Sequence, residues 1–252
     1  MGYLKQRYRL DIEYDGTDYF GFQKQEKSLP TIENSLQNAI KLFSQQDVEI
    51  EVSGRTDAGV HAICQTVHFE LDKLFSAHQI SSALNHLLQL NNEKISILNC
   101  QLVDENFHAR RSSLKRYYRY IIINRKPPLA IEKNKAWHVP YHLDLEAMKQ
   151  SLHYLIGCHD FSSFRDSRCQ AKSPIKTIDE ILIDKKDDFI FIDICAKSFL
   201  HHMVRNIVGT LVYVGRKKIL PHQVKEILQA KDRSKSGPNA PSCGLYFVKT
   251  NY

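Results

Sequence analysis

The sequence predicts an α+β fold: two tandem βαββαβ units, each a split βαβ of the ferredoxin-like kind, with antiparallel sheets and a basic cleft between them. Three observations predict it. Hydrophobic spacing alternates between a period of two and a period near 3.6, and the order strand, helix, strand, strand, helix, strand occurs twice. The 252 residues are 42% hydrophobic with 10% aromatic side chains, enough for a substantial core. The 35 Lys and Arg outnumber the 28 Asp and Glu, and the formal charge of +7 favours a polyanionic partner, nucleic acid first and an acidic membrane surface second.

The first unit is expected over 1–105. Residues 7–15 (RYRLDIEYD) alternate as a strand, and 31–45 place Ile32, Leu36, Ile40 and Phe43 at helical spacing. Residues 48–53 and 63–71 (ICQTVHFEL) alternate again. Ser76 with Gln79 has the form of a capping box, opening a helix on which Ile80, Ala83, Leu84 and Leu87 face one way. Residues 94–103 (KISILNCQLV) return as a strand.

The second unit, 106–252, repeats the order. Strand 116–124 (RYYRYIIIN) precedes a helix over 144–156 bearing Leu145, Met148, Leu152 and Leu155. Strands at 175–184 and 188–196 lead to a helix over 199–214, a short helix opening at Pro221 and a last strand over 245–249. The halves share element order, not evident sequence identity. Each sheet would have helices on one face, its other face covering a ligand or the other half.

No run of 18 apolar residues occurs, and the start, MGYLKQRYRLDIEYDG, lacks the apolar stretch and small-residue site of a leader. A soluble, unprocessed cytoplasmic protein is the expectation, without a membrane partner. Six cysteines are scattered without a C-x-x-C pair, so reduced thiols are expected and a structural zinc is not.

Three segments carry chemistry. SGRTDAGVHA, 53–62, is a glycine-rich loop between two strands, with Asp57 at its tip. Its carboxylate either closes an Asx-turn or is a catalytic group kept ionised by Arg55 or a more distant cation. In 106–126, Arg110, Arg111, Lys115, Arg116, Arg119, Arg125 and Lys126 stand among Tyr117, Tyr118 and Tyr120 with no acid. This is either the solvated face of a strand or a surface that neutralises phosphates and stacks on bases. In KSFLHHMVRNIVGTLVYVG, 197–215, an apolar stripe runs beside His201 and Arg205, four apart and so on one helix face, while the adjacent His201 and His202 should point differently. Arg205 is either a surface residue or the distant cation.

With GRTDAGVHA at 54–62, the chain carries YDGT at 14–17, FHAR at 107–110, YRYII at 118–122, HDFSSF at 159–164, CQAKSP at 169–174, HHMVRNIVG at 201–209 and GLY at 244–246. In that series it resembles the TruA-type tRNA pseudouridine synthase family. The resemblance implies that Asp57 is the catalytic aspartate, that Arg205 pairs with its carboxylate, that Tyr118 stacks on the target base and that Leu245 lies under the ring. It implies that Arg55 fills the space left by the extruded base. On the nucleic-acid reading of the basic segment, Arg110 and Arg111 contact tRNA phosphates. The resemblance further implies action on uridines 38 to 40 of the anticodon stem-loop, no cofactor or metal, and a homodimer. Phe22 stands where the family usually has tryptophan.

Two rival functions fit parts of this pattern. A non-catalytic RNA-binding protein or chaperone would use the same basic face, yet has no reason to set a carboxylate, which repels phosphate, at a loop tip there. A retaining glycosidase needs two carboxylates across one bond, and the other acids near the loop, Glu49 and Glu51, lie in the alternating strand.

Overall fold

The structure, a computed structural model, describes residues 5–25 and 29–252. It divides into two compact units, one running up to Leu114 and completed by Phe247–Tyr252, the other Lys115–Tyr246.

In the first unit the order is β1 (Gln6–Tyr14), α1 (Ile32–Ser44), β2 (Glu51–Val52), β3 (His61–Leu71), α2 (Ala77–Leu90) and β4 (Ile95–Val103). The sheet runs β4-β1-β3-β10, with β10 being Leu245–Asn251 and β2 pairing with β3 to the side. Antiparallel register sets Tyr8 opposite Phe69 and Leu10 opposite Val67, so one face of β1, namely Tyr8, Leu10 and Ile12, is wholly buried. Such burial stabilises the unit at about 25 cal/mol per Å² of apolar surface. Helices α1 and α2 pack on each other, and α2 packs along β4. Ile32, Leu36 and Ile40 are the buried stripe of α1, while Phe43 lies at its margin against Phe75 at 4.8 Å. The Ser76 capping box forms in both directions, 3.2 Å from the Gln79 N–H to Ser76 Oγ and 2.9 Å from the Ser76 N–H to Gln79 Oε1. Its helix buries Ile80, Leu84 and Leu88, so the stripe continues through Leu88 and not through Leu87.

The second unit contains β5 (Lys115–Ile123), β6 (Trp137–His138), α3 (Leu145–Leu152), β7 (Gly157–Asp160), β8 (Ile175–Lys186), β9 (Phe189–Ala196), α4 (Met203–Gly215) and α5 (Gln223–Ala230). Its strands run β5-β9-β8-β7, antiparallel throughout, and β6 pairs parallel to β5. Tyr120, Ile122, Ile190 and Ile192 are fully buried on one face, and α3 packs on α4.

The antiparallel α+β architecture and the element order agree with the expectation, with differences at the ends. Strands β6 and β7, of two and four residues, are too short to print a period in the sequence. The first unit runs up to Leu114, and the end of the last strand joins it. The tail is tied there by Leu114 N–H to Asn251 O at 2.8 Å, by the Tyr252 hydroxyl to Ala109 O at 2.8 Å, and by the rings of Phe107 and Tyr252 at 4.9 Å.

Candidate active site

The catalytic-loop candidate spans 53–60, between β2 and β3. Its turn is closed by main chain, the Val60 N–H donating to Asp57 C=O at 3.1 Å, with Gly59 at φ 74°. A left-handed φ there is steric work that glycine does without cost. The loop is then braced from β1 and from the segment after it. The buried Tyr14 hydroxyl lies 2.7 Å from Thr56 Oγ1 and also donates to Gln65 Oε1, and the Gln65 amide donates to Gly54 O. Phe22 N–H donates to Thr56 O at 3.0 Å, and Gly59 N–H to Tyr19 O at 3.3 Å. Gly16 packs on the loop's end so closely that a Cβ would lie 2.0 Å from Val60 O, while its N–H donates to His61 Nδ1 at 3.1 Å. Held between these supports, Asp57 is half-buried, and Arg55 and Ala58 are exposed.

Tyr14, Gly16 and Gln65 are site-shaping residues that reasoning from the loop alone misses. The signal for two of them was the YDGT stretch, whose tyrosine and glycine sit 42 and 44 positions before Thr56 and Val60. Nothing local in the sequence pairs them.

Arg110 and Arg111 are exposed at a turn of the first unit, where His108 Nδ1 takes their backbone N–H groups at 3.2 and 3.4 Å. Burial, and then the Arg111 charge, push the His108 imidazole down from its usual range. Four of the five remaining cations of the basic segment prove otherwise employed. Arg119 makes a two-pronged bridge to Asp193 at 2.8 and 2.9 Å, Lys115 faces Asp179 at 3.3 Å, and Arg125 lies 3.6 Å from Asp188. Arg116 is buried and donates to Lys197 O. The acid-free span of sequence is therefore not an acid-free surface: β8, β9 and the turn joining them supply the acids.

In the second unit Tyr118 is half-buried on β5, its ring edge-on to Phe199 at 5.0 Å and 85°. Leu245 is 6% exposed. It follows a glycine pressed on the Tyr120 ring, whose hydroxyl donates to Pro241 O at 2.6 Å. Arg205 is half-buried in the first turn of α4; its Nε donates to Ala240 O at 2.7 Å and Ala240 N–H returns to Arg205 O at 3.2 Å. The expectation of a helix from 199 fails here. α4 starts at Met203 because His202 is left-handed, so His201 and Arg205 do not share a helix face. Nor do the two histidines diverge, since their rings lie 3.9 Å apart.

Asp57, Arg55, Arg110 and Arg111 thus belong to the first unit, and Tyr118, Arg205 and Leu245 to the second. A family profile described as tRNA pseudouridine synthase matches residues 12–110 and 152–252. The chain belongs to the tRNA pseudouridine synthase family. The protein named tRNA pseudouridine synthase A of Ehrlichia chaffeensis is 49% identical over 247 residues, covering 98% of this chain and 100% of its own. Those of Ehrlichia canis and Ehrlichia ruminantium are 48% and 46% identical, each aligned with 98% of this chain and with 100% and 99% of their own. In this synthase every residue of the candidate site except Arg111 and Tyr118 falls inside the two matched stretches, and so do the bracing Tyr14, Gly16 and Gln65. Among the described residues of the synthase, no helix is long and apolar enough to cross a membrane.

Proposed function

We propose that the chain converts uridine to pseudouridine in the anticodon stem-loop of tRNA, at positions 38 to 40, with the Asp57 carboxylate carrying the chemistry. The observation that supports this most is the braced loop: a half-buried carboxylate at the tip of a turn closed by main chain and held by the Tyr14–Thr56 contact. Such support is what a group held to a reactive geometry requires.

The reaction is an isomerisation. The C1′–N1 bond breaks, the uracil turns, the C1′–C5 bond forms, the C5 hydrogen leaves as a proton and N1 gains one. Neither an electron acceptor nor a group donor enters the balance, and the proposal includes no cofactor. The carboxylate attacks C1′, adds to C6, or takes the C2′ proton to give a glycal; all three need it ionised. Closure around the base desolvates it and favours the neutral acid, and Arg205 acts with Asp57 against that shift. The target base leaves its stack at a cost of a few kcal/mol, and stacking on Tyr118 returns about 1–3 kcal/mol of it. Leu245 underlies the ring, Arg55 occupies the vacated space, and Arg110 and Arg111 neutralise phosphates. The working form is a cytoplasmic homodimer.

The test is tRNA carrying tritium at uridine C5. Release of tritium to water, with pseudouridine mapped to positions 38 to 40, is the expected result. Tight tRNA binding without release would make the chain a non-catalytic RNA binder.

A further inference from the structure

Helix α4 does not begin where its apolar stripe begins. His202 stands before it at φ 61° and ψ 4°, a left-handed conformation that crowds the Cβ of any residue but glycine, and no side-chain cap bond from His202 accompanies it. Strain of this kind persists only where the surroundings over-determine it. The segment that follows Phe164 does so. Asp166 N–H donates to His201 C=O at 3.1 Å, and Asp166 Oδ2 lies 2.7 Å from Nδ1 of His202, whose side chain is 10% exposed. Its other oxygen is 3.7 Å from Nδ1 of His201.

The carboxylate is itself fixed. Oδ1 accepts the Arg168 N–H at 2.9 Å and Arg168 Nε at 3.3 Å, Cys169 N–H closes the turn on Asp166 C=O at 3.0 Å, and Cys169 Sγ receives the His201 N–H at 3.4 Å. Burial pushes the Asp166 carboxyl up, but the Arg168 donors and His202 outweigh it and hold it at about 2. Three residues beyond His202, Arg205 projects from the first turn of α4 and is seated by its two hydrogen bonds with Ala240.

We propose that Asp166 is a positioning residue for pseudouridine formation: it clamps His202 in the left-handed turn, and so sets where α4 starts and where the Arg205 side chain is carried. The proposal rests on the reading that Arg205 acts in the reaction. Without the clamp, His202 is released toward the right-handed backbone, α4 extends backward over residues 199–202, and the first turn shifts with it.

The experiment is a double-mutant cycle on single-turnover pseudouridine formation at saturating tRNA, using the full chain. Asp166→Asn is expected to lower the rate at least tenfold while tRNA affinity stays within threefold. His202→Gly should lower it less, because glycine holds a left-handed conformation unaided. Adding Asp166→Asn to His202→Gly should then cost less than twofold. If Asp166→Asn does not fold, Asp166→Glu, which moves the carboxylate by one methylene, takes its place in the cycle. Three results overturn the proposal: an unchanged rate in the Asp166 variant, the same loss in both backgrounds, or a His202→Gly variant as impaired as Asp166→Asn, which would make the ring and not the turn the required feature. A wild-type chain that releases no C5 hydrogen is a different failure, that of the functional reading itself.

Discussion

Gly16→Ala tests whether the first unit's loop is built for reaction geometry. The new Cβ would lie 2.0 Å from Val60 O and 2.7 Å from Val60 C, and ordinary contact begins near 3.4 Å, so the two backbone segments must part by about 1.4 Å. Both obstacles are backbone, which no rotamer change relieves. The Gly16 N–H bond to His61 and the Val60 N–H bond to Asp57 sit at the same junction, so the displacement passes into the turn that carries the carboxylate. Overpacking of this kind costs about 1–3 kcal/mol, and at roughly 2–4 °C per kcal/mol the melting temperature should fall by several degrees. Misplacing a reacting group by about 1 Å costs up to roughly 10²-fold, so single-turnover tritium release should drop by about that factor at temperatures where the variant is folded. Gly215→Ala is the control. Its Cβ meets Met148 Sδ at 2.7 Å, a flexible side chain that can move, and the rate should stay within about twofold. A folded Gly16→Ala protein with near wild-type turnover would refute the argument that the loop's position is set by this packing.

Four further outcomes are expected. Asp57→Asn should abolish pseudouridine formation while tRNA affinity, read by filter binding, stays within about tenfold, or roughly 1.4 kcal/mol. Arg110→Ala or Arg111→Ala should weaken tRNA binding and reduce the salt slope by about 0.7–0.9 for each phosphate left without its cation; an unaltered slope would mean the side chain touches no phosphate. Arg205→Ala should nearly abolish turnover and Arg205→Lys should fall short of wild type, and in a cycle with Asp57→Asn the two losses should not add, since additive losses would mean the residues act independently. His68, whose imidazole burial and the neighbouring His108 hold near 4 against a usual 6.5, accepts the Ala109 N–H at 3.2 Å in its neutral form. Its contribution to stability is full above pH 6.5 and is lost as pH falls through about 4, so His68→Gln should flatten the melting-temperature profile across that window, and an unchanged profile would count against it.

The order of elements was legible because it is written in local spacing. The Ser76–Gln79 capping box needs only residues three apart, and the stripe Ile32, Leu36, Ile40 only one helix face. The SGRTDAGVHA loop was recognisable for the same reason, glycines and polar residues between two alternating runs leaving Asp57 at a tip. Where a backbone conformation depends on a distant partner, local reading failed. The apolar stripe from Leu200 onward is helical in spacing, yet Asp166 holds His202 out of the helix from 36 positions away.

By itself, then, the sequence determined the α+β class, the position of most strands and helices, and which loop holds Asp57 at its tip. All of these follow from the periods of side-chain burial along a few turns of chain. Tertiary structure alone decided what each polar group meets. Arg119 reads as a free cation in a basic run, and register on β9 gives it Asp193, 74 positions on. Tyr14 reads as the end of a strand, and its hydroxyl reaches across the sheet to Thr56 to brace the loop. Strand register and chain return are set by the sum of the core's packing, and no window of sequence encodes that sum.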